Sequence, residues 1–449
     1  MVSIYHALAR VKQDLSKHLP ESSILQAVSD AEHKWRKRIL DPVITVQLFV
    51  LQVLHLNTSL THLRHLAGPQ FKPSAYCQAR KRLPLKVMQS LLRRMCDAAG
   101  ATGRFHGYKL WIADGSSAGL PDNPALQKVF PQPGRQRTGC GFPLIKLLGI
   151  FDAATGLFFE MLPASLHTHE QSQIARLHPL LGAGDVLLAD RGLCSFWQLA
   201  MLWSRGVYCV FRMHQKQIID FRPHRKQREQ LKRKADKGRP TSRWVRRLGK
   251  HDQIVQWVRP KARPKWMSLE QYAALPQELL IREVRYLIPR KGQRTLAVTI
   301  ATTLLDPTLY PKSEIRWLYQ TRWEVETHFR ELKTTMHMRV LKCKTVDGVQ
   351  KELLAFALAY NLVRLTMVEA SVRQNVNIDR ISFVDTLRWL TTAMPGERLP
   401  DLVINPLRDD RHEPRAIKRR AKQYDLMNRP RKELRKRLRQ RTGKVQMLN

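Results

Sequence analysis

Apolar residues over positions 1–95 recur mostly at helical spacing. Asp41-Pro42-Val43 opens a helix, with Asp as N-cap and Pro in the first turn, and the run VITVQLFVLQVLHL follows. A break at Asn57-Thr58-Ser59 precedes LTHLRHLAG, which ends at Gly68-Pro69. Ser74 is the expected cap of a third helix, AYCQARKRL, which stops at Pro84. The pattern changes over 105–211. YKLWIAD (108–114) reads as a buried strand ending in an acid, PLIKLLGIFD (143–152) and GLFFEMLPA (156–164) as two strands joined at Ala153-Ala154-Thr155, and DVLLAD (185–190) and VYCVFRM (207–213) as two more. HEQSQIARLHPLL and SFWQLAMLWSRG lie between them with helical period. Strands first and then strands alternating with helices is α/β logic around a mixed sheet. Strand-like runs resume at IVQWV (254–258), REVRYLI (282–288) and TLAVTIATTLL (295–305), and from Pro311 the chain is helical again.

Composition adds a partner to this outline. Lys and Arg number 78 against 37 Asp and Glu, a formal charge of +41. Such self-repulsion is relieved by a polyanion, and neutralising phosphates releases counterions, so nucleic acid is the leading partner. The basic residues are densest over 212–265 and from Arg408 onward. The first stretch reads as a basic β-rich insertion and the second as a basic helix or arm for phosphate contacts. The third N-terminal helix carries Gln78, Arg80, Lys81 and Arg82. It suits a helix-turn-helix-like DNA reader, and equally a bundle with a solvated basic face. The six cysteines form no CxxC pair, which argues against a zinc ribbon or a disulfide framework. The N-terminus lacks an apolar signal-peptide region and no stretch reaches the length of a membrane span, so a cytoplasmic location is expected.

In so basic a chain the acids at strand ends stand out. Asp114 follows KLWIA and precedes Gly115-Ser116; Asp190 follows VLLA and precedes Arg191-Gly192. Both fall where α/β sheets place their sites, although Asp-Gly and Asp-x-Gly are also common turn formers. Two hard oxygen ligands suit Mg²⁺ or Mn²⁺ rather than zinc. A third acid, Glu326, lies in IRWLYQTRWEVETHFRELKTT, which reads as one helix. At about 100° per residue, Tyr319, Arg322, Glu326 and Lys333 fall within roughly 60° of one another on one face. Such a face can carry a metal ligand beside groups that hold phosphates, or a solvated Arg322–Glu326 ion pair. Arg191 is a candidate for orienting a carboxylate or meeting phosphate. His167-x-His169-Glu170 lacks the HExxH spacing of a zinc site and reads as a helix cap with a solvated pair. Trp244, Trp257 and Trp266, in or beside the insertion, are candidates for stacking on an unpaired base or for the core.

The spacing Tyr319-x2-Arg322-x3-Glu326-x6-Lys333 resembles the Tyr-Arg-Glu-Lys signature of the insertion sequence 4 family of DDE transposases. The resemblance maps the first two acids of the triad onto Asp114 and Asp190. It departs at Ser116, where Thr is usual, and at Leu193, where an aromatic often follows Asp-Arg-Gly. It implies an α/β, ribonuclease-H-like mixed sheet interrupted by the insertion, with a helical N-terminal DNA-binding domain and a basic helical C-terminal region. The expected units are 1–100, 101–211, 212–310, 311–395 and 396–449. It further implies catalysis and metal binding by Asp114, Asp190 and Glu326 with two Mg²⁺ (or Mn²⁺) ions, and DNA or phosphate contacts by Tyr319, Arg322, Lys333, Arg191 and Arg330. The implied partners are double-stranded DNA, both element ends and target, and a second copy of the chain in a homodimeric complex at the nucleoid. It also allows the His167–Glu170 segment a polar supporting role. The expected activity is cut-and-paste transposition; the alternatives are a ribonuclease-H-like nuclease without strand transfer and an inactive DNA-binding inhibitor of transposition.

Overall fold

The computed structural model describes residues 18–36, 38–66, 71–99, 105–134, 136–214, 217, 219–224, 239–290, 293–392, 397–406, 429–430, 432–437 and 440. Most of the basic C-terminal tail, and the most basic part of the insertion, lie outside these residues. The N-terminal helices are α1 (Glu21–Asp30), α2 (Pro42–Leu54), α3 (Leu60–Leu66), α4 (Pro73–Arg82) and α5 (Leu85–Ala98). Asp41 caps α2 as its sequence predicts, its side chain accepting from the Ile44 N–H at 2.8 Å; such a cap contributes ~1 kcal/mol. Ser59 caps α3 by accepting from His62 N at 3.1 Å. Ser74 does not cap α4: the helix starts one residue earlier, with Pro73 in its first turn and Lys72 at the N-cap. Proline's preset φ and missing N–H make it the better helix opener.

The central element is a nine-stranded sheet of order β3-β2-β1-β4-β5-β9-β8-β7-β6. Strand β1 (Leu110–Gly119) runs antiparallel to β2 (Leu144–Asp152), which follows the short helix α6 (Pro124–Val129) and pairs with β3 (Phe158–Ser165). Strands β4 (Val186–Ala189) and β5 (Tyr208–Arg212) join the other edge of β1, all three parallel. Every residue of β4 is buried, as expected for a strand covered on both faces. The insertion forms no separate layer. Strands β6 (Thr241–Gly249), β7 (Asp252–Val258), β8 (Glu278–Arg290) and β9 (Gln293–Thr302) extend the same sheet, with β9 antiparallel to β5. β6 escapes the apolar pattern because TSRWVRRLG is an edge strand with no fully buried side chain.

Alternation along the strands splits the core in two. Ile112 faces one cluster with Ile145, Val186 and Leu188; Trp111 and Ala113 face the other with Leu187 and Ala189. The second cluster is covered by α7 (Glu170–Ala175), α8 (Phe196–Trp203) and the region around α9 (Leu269–Ala274). The first is covered by α10 (Lys312–Thr321), α11 (Glu324–Arg330) and α12 (Val346–Arg373), beyond which lies α13 (Phe383–Thr392). The 28-residue α12 is long and apolar enough to cross a membrane, but 89% of its apolar window is buried inside the protein. It is apolar all round because protein surrounds it. Helices α2 and α5 pack on it, and residues from Leu19 to Leu402 form one continuous core cluster. Glu352 of α12 ties the units together by accepting from Asn57 Nδ2 (2.6 Å), Lys342 N (2.9 Å) and Cys343 N (2.8 Å). On α4, Arg80 turns inward: its guanidinium lies 3.9 Å from the centroid of the Phe49 ring and donates to Cys343 Sγ. Gln78, Lys81 and Arg82 remain exposed.

Candidate active site

The site sits where β4 ends beside the middle of β1, which runs on past Asp114 to Gly119 in its ladder with β2 instead of ending at the acid as its sequence suggests. The parallel register pairs Ala113 with Ala189, so the residues that follow, Asp114 within β1 and Asp190 just after β4, emerge at the same level. Asp114 Oδ1 accepts from the Gly115 N–H at 2.8 Å. Its carboxyl pKa is raised, first by burial and further by the charges of Asp190 and Glu326, against the opposing pull of the Gly115 N–H and Arg322. Across β2, Gly149 is the register partner of Asp114, and a side chain there would strike the Phe158 ring.

The segment expected to be one helix is broken. After α10 the chain makes a tight turn through Arg322 and Trp323, with i→i−3 bonds from Trp323 N to Gln320 O and from Glu326 N to Trp323 O. Following α11 the turn widens into a π-helical stretch, Glu331–Thr335. A tightened turn advances more than 100° per residue and a widened one less, so the single-face calculation does not hold. The four signature side chains still reach the ends of the strands. The Tyr319 hydroxyl lies 3.5 Å from Asp190 Oδ1. Arg322 stands between two acids, Nη1 3.9 Å from Asp114 Oδ2 and Nη2 3.6 Å from Glu326 Oε1. Lys333 Nζ lies 3.3 Å from Ser116 Oγ.

Their environments differ from the expected nucleic-acid surface. Tyr319 and Arg322 are buried, 2% and 3% exposed, while Glu326 is largely open. Burial raises the Tyr319 phenol pKa, so it stays a neutral donor. The Arg322 guanidinium lies over the Tyr319 and Trp323 rings, and its Nε is buried without a partner. Burial, then the nearby Arg339 charge, lowers the Lys333 pKa. Arg330 is exposed at the end of α11.

Sequence reading missed Arg212. The β4–β5 register pairs Ala189 with Phe211, so the following Arg212 lies beside Asp190, Nη1 3.7 Å from Oδ1. An arginine closing the strand after the Asp strand was the available signal. Arg191 is exposed and lines, with Arg212, His214 and Arg285, a cleft of about 350 Å³ leading onto the insertion. Leu193 is buried in the second core cluster, which removes any stacking role. Trp257 is also core, 1% exposed, its indole donating to Glu283 at 3.2 Å; Trp244 and Trp266 are partly buried. His169 caps α7, accepting from Gln171 N at 3.3 Å, as the capping reading of that segment expects.

Comparison with known proteins gives this arrangement a lineage. Residues 105–362, from the first bridge before β1 to the middle of α12, match the Transposase DDE domain family. The chain is 27% identical over 380 residues to the transposase InsG for insertion sequence element IS4 of Escherichia coli (strain K12), spanning 79% of this chain and 78% of InsG. A piggyBac transposase in a synaptic complex with hairpin DNA, solved by cryo-electron microscopy, aligns over 84% of this chain and 78% of its own at 10% identity, with a TM-score of 0.41. With more than half of its length matched to the domain and the strand-end acids and signature residues gathered at one place, the chain belongs to the DDE transposase family, in its insertion sequence 4 branch.

Proposed function

We propose that this DNA transposase cuts the ends of its own insertion element and joins them to target DNA, with Asp114, Asp190 and Glu326 as the catalytic acids. The observation that carries the reading is the parallel register that sets Asp114 beside Asp190, with Arg322 linking Asp114 to Glu326. We read β1–β5 as the ribonuclease-H-like part of the sheet.

The donor set fits divalent cations. It is carboxylate oxygen only, which suits Mg²⁺ or Mn²⁺. The raised Asp114 pKa reflects burial first and then the charges of Asp190 and Glu326, and a cation would relieve both. Among the described residues no three His, Cys, Asp or Glu form a finished metal cage, and the Arg322 guanidinium is the cation now lying between Asp114 and Glu326. When bound, two ions held by the three acids would activate the attacking oxygen and stabilise the leaving one. The chain's own groups position and neutralise. Arg322 and Arg212 offset the charge of the acids and align them. Lys333, open Arg191 and Arg330 are placed to meet phosphates. Tyr319 holds its proton against Asp190.

Hydrolysis breaks the bond between phosphorus and the 3′ oxygen of an end, leaving a free 3′-hydroxyl. That hydroxyl oxygen then attacks a target phosphate, one phosphodiester bond forming as another breaks, so no external energy is needed. Cutting two ends calls for two such sites, hence a homodimer on paired ends, at work on cytoplasmic DNA. In the test, D114N, D190N and E326Q each abolish Mg²⁺-dependent cleavage of end DNA while gel-shift binding persists. Retained cleavage in any one removes that residue from the triad. Pre-cut 3′-hydroxyl ends with a target plasmid should give joined product; cleavage without joining would make the protein a nuclease only.

A further inference from the structure

A glycine follows each aspartate, Gly115 directly after Asp114 within β1 and Gly192 in the turn two residues after Asp190, and one side chain lies beside both. A Cβ on Gly192 would sit 3.0 Å from Oε2 of Glu170, and one on Gly115 would sit 3.9 Å from Oε1. The Glu170 carboxylate therefore spans the gap between β1 and the turn after β4, in ordinary contact range of Gly115 and close enough to Gly192 that a Cβ there would crowd it. It is held from its far side: Lys146 Nζ is 3.3 Å from Glu170 Oε1 and donates to Thr168 O at 3.4 Å. Lys146 stands on β2 opposite Ser117 of β1, so the clamp is anchored in the strand next to Asp114's own. The helix bearing Glu170 is pinned in turn, by the His169 cap and by Gln198 Nε2 donating to Gln171 O at 2.7 Å.

We infer that Glu170, paired with Lys146, is a positioning residue that sets the Asp190 turn against the Asp114 segment of β1. The inference rests on the proposed catalytic role of those aspartates. The Asp190 turn is irregular backbone beyond the end of β4, whereas Asp114 is fixed in the β1–β2 ladder, and a site that gathers ions tolerates about 0.5 Å of error in its ligands. The pair is partly exposed, so it adds little to folding stability. Its effect should fall on the geometry of the acids instead.

The test compares E170Q, which keeps shape and loses charge, with K146M, G192A and the double variant E170Q/G192A. Three readouts are taken on the full chain: melting without metal, stabilisation against melting across a Mn²⁺ titration without DNA, and cleavage of end DNA across a Mg²⁺ titration. The metal-free melting of E170Q and K146M should match the wild type. Both should need several-fold more Mn²⁺ for half-maximal stabilisation and several-fold more Mg²⁺ for half-maximal cleavage. The loss in E170Q/G192A should be close to that of the worse single variant, because one contact is broken either way. Wild-type metal midpoints in both E170Q and K146M, or losses that multiply in the double variant, would overturn the inference. If wild-type protein does not cleave end DNA yet the Mn²⁺ midpoint still shifts, the functional reading fails and the positioning role stands.

Discussion

Arg322 and Asp114 face each other across the junction of helix and sheet, with Nη1 3.9 Å from Oδ2, and the same guanidinium reaches Glu326 at 3.6 Å. A buried cation thus links two acids that lie 212 positions apart in the chain. Replacing it with a neutral side chain of similar length leaves the carboxylates to repel one another. R322M is expected to lose at least tenfold in cleavage and about 1–3 kcal/mol in stability, less than for a fully buried pair because both acids are partly open to water. Excess Mg²⁺ should stabilise R322M more than the wild type, since the ion restores the missing positive charge. Melting with and without Mg²⁺ measures this; equal stabilisation would count against Arg322 as the internal counter-charge.

Lys333 and Ser116 are joined by a longer contact of 3.3 Å from the π-helical stretch to β1. Losing that hydroxyl should cost little: S116A is expected within about 1 kcal/mol of wild-type stability, and S116T should behave as wild type. K333M should leave folding intact but weaken end binding and lower the salt dependence of log K by about one unit, the signature of one lost phosphate contact. An unchanged salt slope would exclude a phosphate role for Lys333.

Gly149 lies opposite Asp114, and a Cβ there would come 2.5 Å from the Phe158 ring. Phe158 is fully buried against Phe151, with ring centroids 4.1 Å apart, and has little room to retreat. G149A should therefore destabilise by about 1–3 kcal/mol through overpacking. Because β2 would shift behind Asp114, cleavage should fall further than end binding does. Denaturant unfolding alongside cleavage rates tests both parts.

Glu324 precedes Glu326 by two residues and faces inward, where burial, and then the charge of Asp379, pushes its carboxyl up from 4.5 to about 8, against the pull of Arg364. The folded state then holds this proton more tightly than the unfolded chain does. Stability from this group is full below about pH 4.5 and declines as pH rises towards 8, by a few kcal/mol at most (~1.4 kcal/mol per pH unit). E324Q should flatten the decline and raise the melting temperature at pH 8 relative to wild type. A wild-type pH profile in E324Q would show that Glu324 is already ionised at neutral pH.

Much of the frame was legible in local pattern. The Asp41-Pro42 helix start, the strand ending just before Asp190 and the three apolar runs of the insertion appear near their expected places, while the strand expected to end at Asp114 runs on to Gly119 because β2 pairs with it beyond the acid. The reason is that caps and strand alternation are set by neighbours in sequence. The edge strand β6 was illegible because neither of its faces is fully buried. The signature segment misled in a different way. Its spacing marks the right residues, but tight and widened turns replace an even helix, and the packing buries Tyr319 and Arg322.

By itself, then, the sequence determined which residues carry charge and chemistry, the large positive balance that calls for a polyanion, and the helix and strand periods that make an α/β protein. Only the tertiary structure decided that the insertion continues the sheet, that Arg212 stands by Asp190, that Arg80 serves the core, and that Glu170 rests between Gly115 of β1 and Gly192 of the turn after β4. Each of these depends on pairing between segments distant in the chain. Such pairing is chosen by the burial of whole faces and by register between strands, and no local window of residues contains that information.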